Sequence, residues 1–471
     1  MNLQDRCLRI NENIPDGGLY IGERREVHPN SKVPWRISPV PFPISAEDLV
    51  WLENLGTHLL KFYKVCNLLY SQSTRGIQPK WISDYLDKGK PETVIEFGRM
   101  RRFKSQLPQV IRPDILPTEN GMVISELDSI PGGIGFTGGL SIQYSELGCE
   151  ILGGSNGMAT GFAEMVRSLS KKDQPVLAII VSDEAEDYRQ EMYWLASELN
   201  RLGLYARTVH PREIIFTETG LFLDEDEGDI QVDIVYRFFE LFDLKNIPKS
   251  ELILYAAKKR NVIITPPPKA YLEEKLLFAL FHHPALQSFW KRELGEDTHR
   301  LLSEIIPSTW IIDPSELPPH AIIPGLSLDE TPITDFRQLI TVTQKQRELV
   351  IKPSGFSSLA WGSKGVAIGH DMATEDWEKA VEQALSSFEE TPHILQEFHK
   401  SKRIVMSYYD FNSCDIRQMK GRALLRPYYF VVQDKVRLAG IQATVCPDDK
   451  KILHGMVDSI IVPCTVESER P

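Results

Sequence analysis

The stretch that decides the fold runs from residue 110 to residue 128 and reads Val-Ile-Arg-Pro-Asp-Ile-Leu-Pro-Thr-Glu-Asn-Gly-Met-Val-Ile-Ser-Glu-Leu-Asp. Residues 122–127 have the apolar character of a β-strand. Glu126 and Asp128 are two positions apart, so on a strand both side chains project from one face. Asp114 is placed to lie opposite them on the preceding strand. The stretch therefore predicts a hairpin that carries three carboxylates.

Three carboxylates held close together repel each other unless a cation neutralises them. A hard divalent cation is suited to oxygen ligands, and Mg²⁺ bridging nucleotide phosphates meets that need. Asp114, Glu126 and Asp128 are accordingly candidate metal ligands, and Arg112 is a candidate binder of an anion such as an acyl phosphate. The alternative is a plain hairpin whose polar residues face solvent, with Arg112 in a surface ion pair.

A second feature lies in the C-terminal half, where the apolar strand Leu349-Val-Ile-Lys352 opens into Pro353-Ser354-Gly355 and a loop that continues to Gly365. Small residues let backbone N–H groups approach phosphate oxygens, and a lysine at the end of a strand supplies a positive charge. Lys352, Ser354 and Gly355 are therefore candidate phosphate contacts, and Lys364 either replaces or assists Lys352. The alternative is a hairpin with a surface lysine.

The third feature is the short strand Ile394-Leu395-Gln396-Glu397-Phe398. Its polar end is suited to a hinge that meets an adenine edge through backbone groups, with Glu397 reaching a ribose hydroxyl. A core strand that simply ends in polar residues is the alternative.

The organisation of the chain predicts an α/β (or α+β) fold. Residues 175–265 alternate β-α-β with short connections and predict a small Rossmann-like unit, in which Val176–Val181 is a buried parallel strand. No G-x-G-x-x-G follows that strand, which argues against a dinucleotide site. We expect three parts: 1–174 with an irregular N-terminal arm, helices and the carboxylate hairpin; 175–265; and 266–471 with the nucleotide-binding segments. A capping-box pattern at Ser45 predicts the start of a long amphipathic helix.

Composition narrows the classes of partner. The 471 residues carry 53 Lys+Arg against 65 Asp+Glu, a net charge of −12, which disfavours nucleic acid and anionic membranes as partners. Six widely separated cysteines without a C-x-x-C pair are typical of reduced thiols, so we expect a cytoplasmic protein. Oligomeric state is not readable from these features.

Together these segments resemble a known family. Lys275, Lys352-Pro-x-Gly, Gln396-Glu397-Phe398 and Leu425-Arg-Pro427, preceded by Arg112-x-Asp114 and Glu126-x-Asp128, are similar to circularly permuted ATP-grasp proteins, especially the synthetase domain of glutathionylspermidine synthase. The order of the parts is the specific clue, because in ordinary ATP-grasp enzymes the Mg²⁺ ligands follow the adenine hinge. The resemblance covers roughly residues 95–440.

The resemblance implies a set of roles. Lys275 and Lys352 would contact the nucleotide phosphates, and Gln396, Glu397 and Phe398 would line adenine and ribose. Asp114, Glu126 and Asp128 would hold Mg²⁺, and Arg112 would stabilise an acyl-phosphate intermediate. One departure concerns the substrate: the family's Glu-x-Asn is followed by Ala-Asp-Thr-Pro, whereas this chain has Glu126-Leu-Asp128-Ser-Ile-Pro-Gly-Gly.

The expected function is therefore an ATP- and Mg²⁺-dependent ligase. It would join the carboxylate of a small molecule or peptide to an amine or thiol acceptor through an acyl phosphate. A non-catalytic nucleotide-binding protein of the same fold and an ATP-dependent small-molecule kinase are the alternatives.

Overall fold

The computed structural model describes residues 1–14, 28–226, 228–360, 362, 364–450, 453 and 458–467. Part of the predicted N-terminal arm, and residues 361 and 363 of the predicted phosphate loop, lie outside these ranges. The described residues form several sheets covered by helices, which confirms the α/β class.

The helices, apart from short 3₁₀ turns, are α1 Leu3–Asn13, α2 Ala46–Ser73, α3 Lys80–Asp87, α4 Glu92–Arg99, α5 Ile134–Glu146, α6 Gly157–Leu169, α7 Arg189–Arg201, α8 Ser250–Lys259, α9 Leu276–His282, α10 Gln287–Leu294, α11 Glu296–Ile305 and α12 Thr374–Ser386. No helix in these ranges combines the length and the apolar character that a bilayer span requires.

The strands are β1 Phe42–Ile44, β2 Val110–Thr118, β3 Gly121–Asp128, β4 Leu177–Val181, β5 Ala206–Val209, β6 Ile215–Thr217, β7 Gly220–Leu223, β8 Ile230–Gln231, β9 Ile234–Phe238, β10 Ile263–Thr265, β11 Thr309–Ile312, β12 Ser327–Leu328, β13 Thr331–Pro332, β14 Leu349–Pro353, β15 Ala367–Ile368, β16 His393–Glu397, β17 Arg403–Asp410, β18 Asp415–Val432, β19 Lys435–Pro447 and β20 Ile460–Val466.

The largest sheet has the order β1-β20-β19-β18-β2-β3 and joins strands from both ends of the chain. β18 is long enough that one of its edges pairs first with β17 and then with β2. The predicted hairpin β2–β3 is thus hydrogen-bonded to C-terminal strands, although about 300 residues separate them in sequence.

Helices cover both faces of this sheet. Successive side chains of a strand point to opposite faces, and Tyr429 and Phe430 mark the two sides. α2 packs beside Tyr429 at Gly56, where an added Cβ would lie 2.6 Å from the ring. α6 packs beside Phe430 at Gly161, where the corresponding distance is 2.7 Å. The capping prediction for α2 is confirmed, because the Ser45 side chain accepts the Asp48 N–H.

The Rossmann-like unit is a four-stranded sheet of order β10-β9-β4-β5 in which every pair is parallel. All five residues of β4 are buried, as its continuous apolar sequence predicts. A separate antiparallel sheet of order β11-β16-β14-β15 carries the Lys352 and Gln396 segments on adjacent strands. Small ribbons β6-β7-β8 and β12-β13 complete the described sheets.

The prediction of an irregular arm was wrong for its first residues. Leu3–Asn13 is a helix that begins at Asn2, whose side chain accepts the Asp5 N–H. The helix buries Cys7 and Ile10 completely or nearly so, because these residues fall on one helical face.

Candidate functional site

A cavity of about 880 Å³ lies where the large sheet, the antiparallel sheet and the Rossmann-like unit meet. Pockets of this volume accommodate nucleotide-sized ligands. Its walls include nearly every residue that the sequence singled out: Arg112, Asp114, Glu126, Asp128, Lys275, Lys352, Gly355, Lys364, Gln396, Glu397 and Phe398. These segments are distant in sequence, so their convergence is a property of the fold.

The β2–β3 ladder sets the geometry of the carboxylates. Asp114 is the register partner of Glu126, and Arg112 is the partner of Asp128, as the hairpin prediction requires. The Arg112 guanidinium lies 3.1 Å from the Asp114 carboxylate and 3.2 Å from that of Asp128, and it donates to the Gly132 carbonyl at 3.2 Å. Burial works to lower the pKa of Arg112, but the two carboxylates outweigh burial and raise it. Arg112 is therefore a fixed cation.

Glu126 is paired with Lys275, whose Nζ lies 2.5 Å from Glu126 Oε1. Burial tends to raise the pKa of Glu126, yet the charges of Lys275 and Lys352 prevail and lower it. Burial likewise tends to lower the pKa of Lys275, but Glu126 raises it. At neutral pH both groups are ionised.

Lys352 is buried and held from two sides. Its Nζ donates to the Ser125 carbonyl at 2.8 Å and to Gln396 Oε1 at 2.8 Å, while Gln396 Nε2 donates to Thr309 Oγ1 at 3.2 Å. Burial lowers the pKa of Lys352 to about 8, and Lys275 adds to this effect. The Gln396 side chain therefore orients the lysine. The predicted adenine hinge requires a correction, because the Glu397 and Phe398 N–H groups already donate to the carbonyls of Ser308 at 2.9 Å and Glu348 at 3.0 Å.

Glu397 and Phe398 occupy the rim of the cavity. The Glu397 carboxylate is exposed, with His399 Nε2 3.9 Å away. The Phe398 ring lies 4.4 Å, centroid to centroid, from the His370 imidazole, and both residues line the cavity. An exposed carboxylate beside an aromatic ring pair suits a ribose and a base.

Ser354 and Gly355 require a correction. Ser354 is buried and does not line the cavity; its hydroxyl donates to Glu274 Oε1 at 2.6 Å. Gly355 borders the cavity, but its N–H donates to Glu274 Oε2 at 3.2 Å. The buried Glu274 carboxylate satisfies the donors that the sequence had offered to phosphate oxygens.

Lys364 lies on the opposite side of the same loop and does line the cavity. It approaches Asp187 of the Rossmann-like unit: burial raises the pKa of Asp187, and the charge of Lys364 opposes that rise. Lys364 therefore supplements Lys352 as a cavity cation from a different direction.

The three hairpin carboxylates do not form a metal cage. Among the described residues there is no group of three His, Cys, Asp or Glu side chains arranged to hold a metal ion. The reason is local: Lys275 pairs with Glu126, and Arg112 pairs with both aspartates. The ligand atoms that the hairpin offers are carboxylate oxygens. Such oxygens suit Mg²⁺ when one or two carboxylates bind it together with phosphate oxygens, rather than enclosing it. A cation that arrives with a nucleotide fits this wall, whereas a resident all-protein metal site does not.

Arg426 belongs to the site although the sequence singled it out only as part of Leu425-Arg-Pro427. Its guanidinium lies 3.3 Å from Asp114 and donates to Thr444 Oγ1 at 3.1 Å and to Gln442 Oε1 at 3.4 Å. β18 places it directly beside β2, since Leu425 is in register with Ile115. That motif was the signal that could have identified Arg426.

The glycine-rich stretch after β3 enters helix α5 and also shapes the cavity. Gly133 has φ +91°, which favours glycine, and its N–H donates to Glu191 Oε1 at 2.7 Å; Phe136 N–H donates to Glu191 Oε2 at 3.0 Å. Burial raises the pKa of Glu191 to about 7, and the backbone donors oppose this. Tyr428 donates to the Gly132 carbonyl at 2.9 Å, so this turn is tied to β18.

An acidic wall is formed by Glu240, which follows β9 of the Rossmann-like unit, and by Glu273 from the segment after that unit. Glu240 and Glu273 line the cavity, and burial raises the pKa of each. Glu273 pairs with the fully buried Arg237, which follows Tyr236 on β9. The cavity thus combines the paired cations and carboxylates of the hairpin region with further acidic groups on one side.

Comparisons with known proteins bear on the fold. No protein-family model and no curated protein matches the chain. A solved structure of a glutathione synthetase-like effector from Globodera pallida, in its apo form, aligns with 99 % of this chain and 97 % of its own, with a TM-score of 0.57 and 11 % identity. A candidate gamma-glutamylcysteine synthetase from Methylobacillus flagellatus aligns with 86 % of this chain and 84 % of its own, at 12 % identity and a TM-score of 0.40, which is too weak to support an argument. The chain shares its overall fold with the glutathione synthetase-like effector.

Proposed function

We propose that this protein is an ATP-dependent ligase with a circularly permuted ATP-grasp fold. It would join a carboxylate of a small molecule or peptide to an amine or thiol acceptor through an acyl phosphate. The observation that carries the proposal is the convergence of Arg112, Lys275, Lys352 and Arg426 with the hairpin carboxylates around one cavity of about 880 Å³. The synthetase-like fold of the Globodera protein supports the same class of reaction.

The nucleotide would lie between the antiparallel sheet and the β2–β3 hairpin. Lys275 and Lys352, with Lys364 from the loop, would contact its phosphates, since their charges face a common space. Phe398 would lie against the adenine and Glu397 against the ribose, since both residues line the cavity. A phosphate chain in this position would lie beside Asp114 and Glu126.

Mg²⁺ would accompany the nucleotide, held by Glu126 with Asp114 or Asp128 and by phosphate oxygens, and it would supply positive charge to the transferring phosphoryl group. The protein's own contribution is positioning and electrostatic stabilisation, which dominate phosphoryl transfer. Arg112 and Arg426 are held rigidly by buried contacts and would stabilise negative charge on the acylated phosphate.

In the reaction, an oxygen of the substrate carboxylate would bond to the γ-phosphorus while the bond from that phosphorus to the β-bridging oxygen breaks and releases ADP. The nitrogen or sulfur lone pair of the acceptor would then attack the acyl carbon. Cleavage of the carbon–oxygen bond would release inorganic phosphate, and the acceptor proton would pass to solvent. No side-chain nucleophile is needed.

An ADP-release screen tests the proposal. Pairs of amino acids, short peptides and polyamines would be supplied with Mg²⁺ and ATP. We expect ADP release that requires both a carboxylate and an acceptor, together with a product mass equal to their condensation. With an ¹⁸O-labelled carboxylate, one label would appear in the released phosphate. Lys352→Met would abolish turnover, whereas Arg437→Met, at an exposed ion pair with Glu164, would leave it unchanged.

A non-catalytic nucleotide-binding protein is the second candidate. The pairing of Glu126 with Lys275, and of Asp114 and Asp128 with Arg112, favours it, because metal binding would have to compete with existing ion pairs. Nucleotide binding without ADP release across the screen would support this candidate. ADP release with a single substrate and a phosphorylated product would instead indicate a kinase.

A further inference from the structure

Glu274 precedes Lys275, one of the lysines that line the cavity, and is not itself part of the cavity lining. The Glu274 carboxylate is fully buried, with 0 % of the side chain exposed, and forms an ion pair with Lys90, whose side chain is 1 % exposed. Buried ion pairs are weak evidence of stabilisation by themselves, because desolvation offsets their attraction. The Glu274 carboxylate has further contacts that give a charge here another role.

The Glu274 carboxylate reaches the turn that follows a second cavity lysine, Lys352. Its Oε1 accepts the Ser354 hydroxyl at 2.6 Å, and its Oε2 accepts the Gly355 N–H at 3.2 Å. The two backbones are in direct contact, since a Cβ on Gly355 would overlap the Glu273 carbonyl oxygen. The segments 273–275 and 352–355 are thus joined by two hydrogen bonds and by close backbone packing.

We propose that Glu274 is a positioning residue that fixes Lys275 and Lys352 relative to each other through the Ser354–Gly355 turn. The proposal rests on the proposed function, because it concerns two of the three lysines assigned to the nucleotide phosphates. Lys90 pairs with Glu274 in a buried site. The other contacts of the two lysines are with Glu126 and Ser125 on β3 and with Gln396 on β16.

A positioning role and a purely electrostatic role of Glu274 predict opposite changes in nucleotide affinity when Glu274 is replaced by glutamine. If Glu274 acted only as a negative charge near the phosphates, Glu274→Gln would tighten nucleotide binding. If it positions the lysines, the same change weakens binding, by about tenfold, which is typical of a lost hydrogen bond to a charged group. Ser354→Ala removes one contact without leaving a buried charge unpaired, and we expect about threefold weaker binding. Gly355→Ala forces the two segments apart and should weaken binding most.

The experiment is calorimetric titration of the full chain with Mg²⁺ and the non-hydrolysable analogue AMP-PNP. Asp233→Asn is the matched control: it weakens a part-buried hydrogen bond from Val176 N–H and an ion pair with Lys172, both outside the cavity, so it should lower thermal stability while leaving affinity unchanged. Weaker binding in Ser354→Ala and Glu274→Gln, with normal binding in the control, supports the proposal. Unchanged or tighter binding in both variants would overturn it.

A second readout keeps the inference separate from the proposed function. Lysines are methylated with ¹³C, the Lys352 resonance is assigned with Lys352→Arg, and its titration is followed by NMR without nucleotide. Burial and the charges of Glu126 and Lys275 set the pKa of Lys352, so loosening the Ser354–Gly355 turn in Ser354→Ala should shift that titration. If the wild-type chain binds no AMP-PNP, the proposed function fails; an unmoved Lys352 titration in Ser354→Ala would then refute the positioning role by itself.

Discussion

At the scale of single residues, the site is a set of buried charges, each satisfied by another. Lys352 differs from the other cations of the site in its titration. Burial lowers its pKa to about 8, which is near physiological pH. A lysine serves a phosphate site only while it is charged, so the affinity for a nucleotide should depend on pH in this range.

Raising the pH from 7 to 9 should weaken Mg-ATP binding by about tenfold. The sign follows from the shift: above the folded-state pKa the ammonium loses its proton, and the fraction still charged falls tenfold per pH unit. Calorimetric dissociation constants measured across this range test the prediction. Lys352→Arg keeps its charge throughout, so a pH dependence of the same size in that variant would assign the effect to another group.

Arg112→Met should destabilise the fold by about 3–5 kcal/mol, because it leaves the buried Asp114 and Asp128 carboxylates without their shared partner. Urea unfolding measures the loss. Adding Asp128→Asn to the same variant should recover part of it. Arg437→Met, at an exposed pair, should cost less than about 1 kcal/mol, and equal losses at the two arginines would contradict the buried network.

Sequence reasoning reached these residues unequally. Arg112, Asp114 and Glu126 could be predicted because their spacing on two strands fixes which side chains share a face. Their pairing with Lys275 and Arg426 could not, since those cations come from chain segments about 150 and 310 residues away. The prediction that Ser354 contacts phosphate was based on the composition of the loop. Loop composition does not show that the Ser354 hydroxyl donates to the Glu274 carboxylate instead.

At the scale of elements, local signals were sufficient where the structure is local. Ser45 and the apolar spacing after it predicted α2, and the continuous apolar run predicted β4. Helix α1 was missed although Asn2 is a good cap. The glycines of residues 131–139 do not by themselves predict their packing partners, because a glycine permits a close approach without specifying the neighbour.

Gly135→Ala tests the close approach of α5 and α7. In an exposed helix, alanine is favoured over glycine by about 1 kcal/mol. Here an added Cβ would overlap the Glu191 carbonyl oxygen, so we expect a loss of about 1–3 kcal/mol instead. Ser145→Ala, on the same helix, is the control and should be neutral or slightly stabilising. Thermal or urea unfolding decides the sign, and a stabilised Gly135→Ala would show that the helices separate freely.

At the scale of the whole molecule, the large sheet joins strands of both halves, and the cavity lies where that sheet meets the other two. The net charge of −12 gives no hint of this, because the cations that matter are few and buried. The prediction that the carboxylate hairpin and the hinge segment belong to one site came from a family resemblance, in which the order of the motifs was the clue. The spacing of the residues did not predict it.

Residues 1–174 alone should therefore fail to unfold cooperatively. Without β18, β19 and β20, β1 loses its only described partner strand, β2 loses β18, and α2, α5 and α6 lose the sheet on which they pack. Circular dichroism during heating of this fragment, compared with the full chain, tests the expectation. A sharp transition in the fragment would show that it is an independent domain.

The central claim is that the cavity binds ATP with Mg²⁺, and calorimetric titration of the full chain with ATP, with and without Mg²⁺, tests it most directly. We predict one nucleotide per chain, binding heat that depends on Mg²⁺, and at least about tenfold weaker binding in Lys352→Met. A folded wild-type chain that gives no binding heat under either condition would contradict the claim.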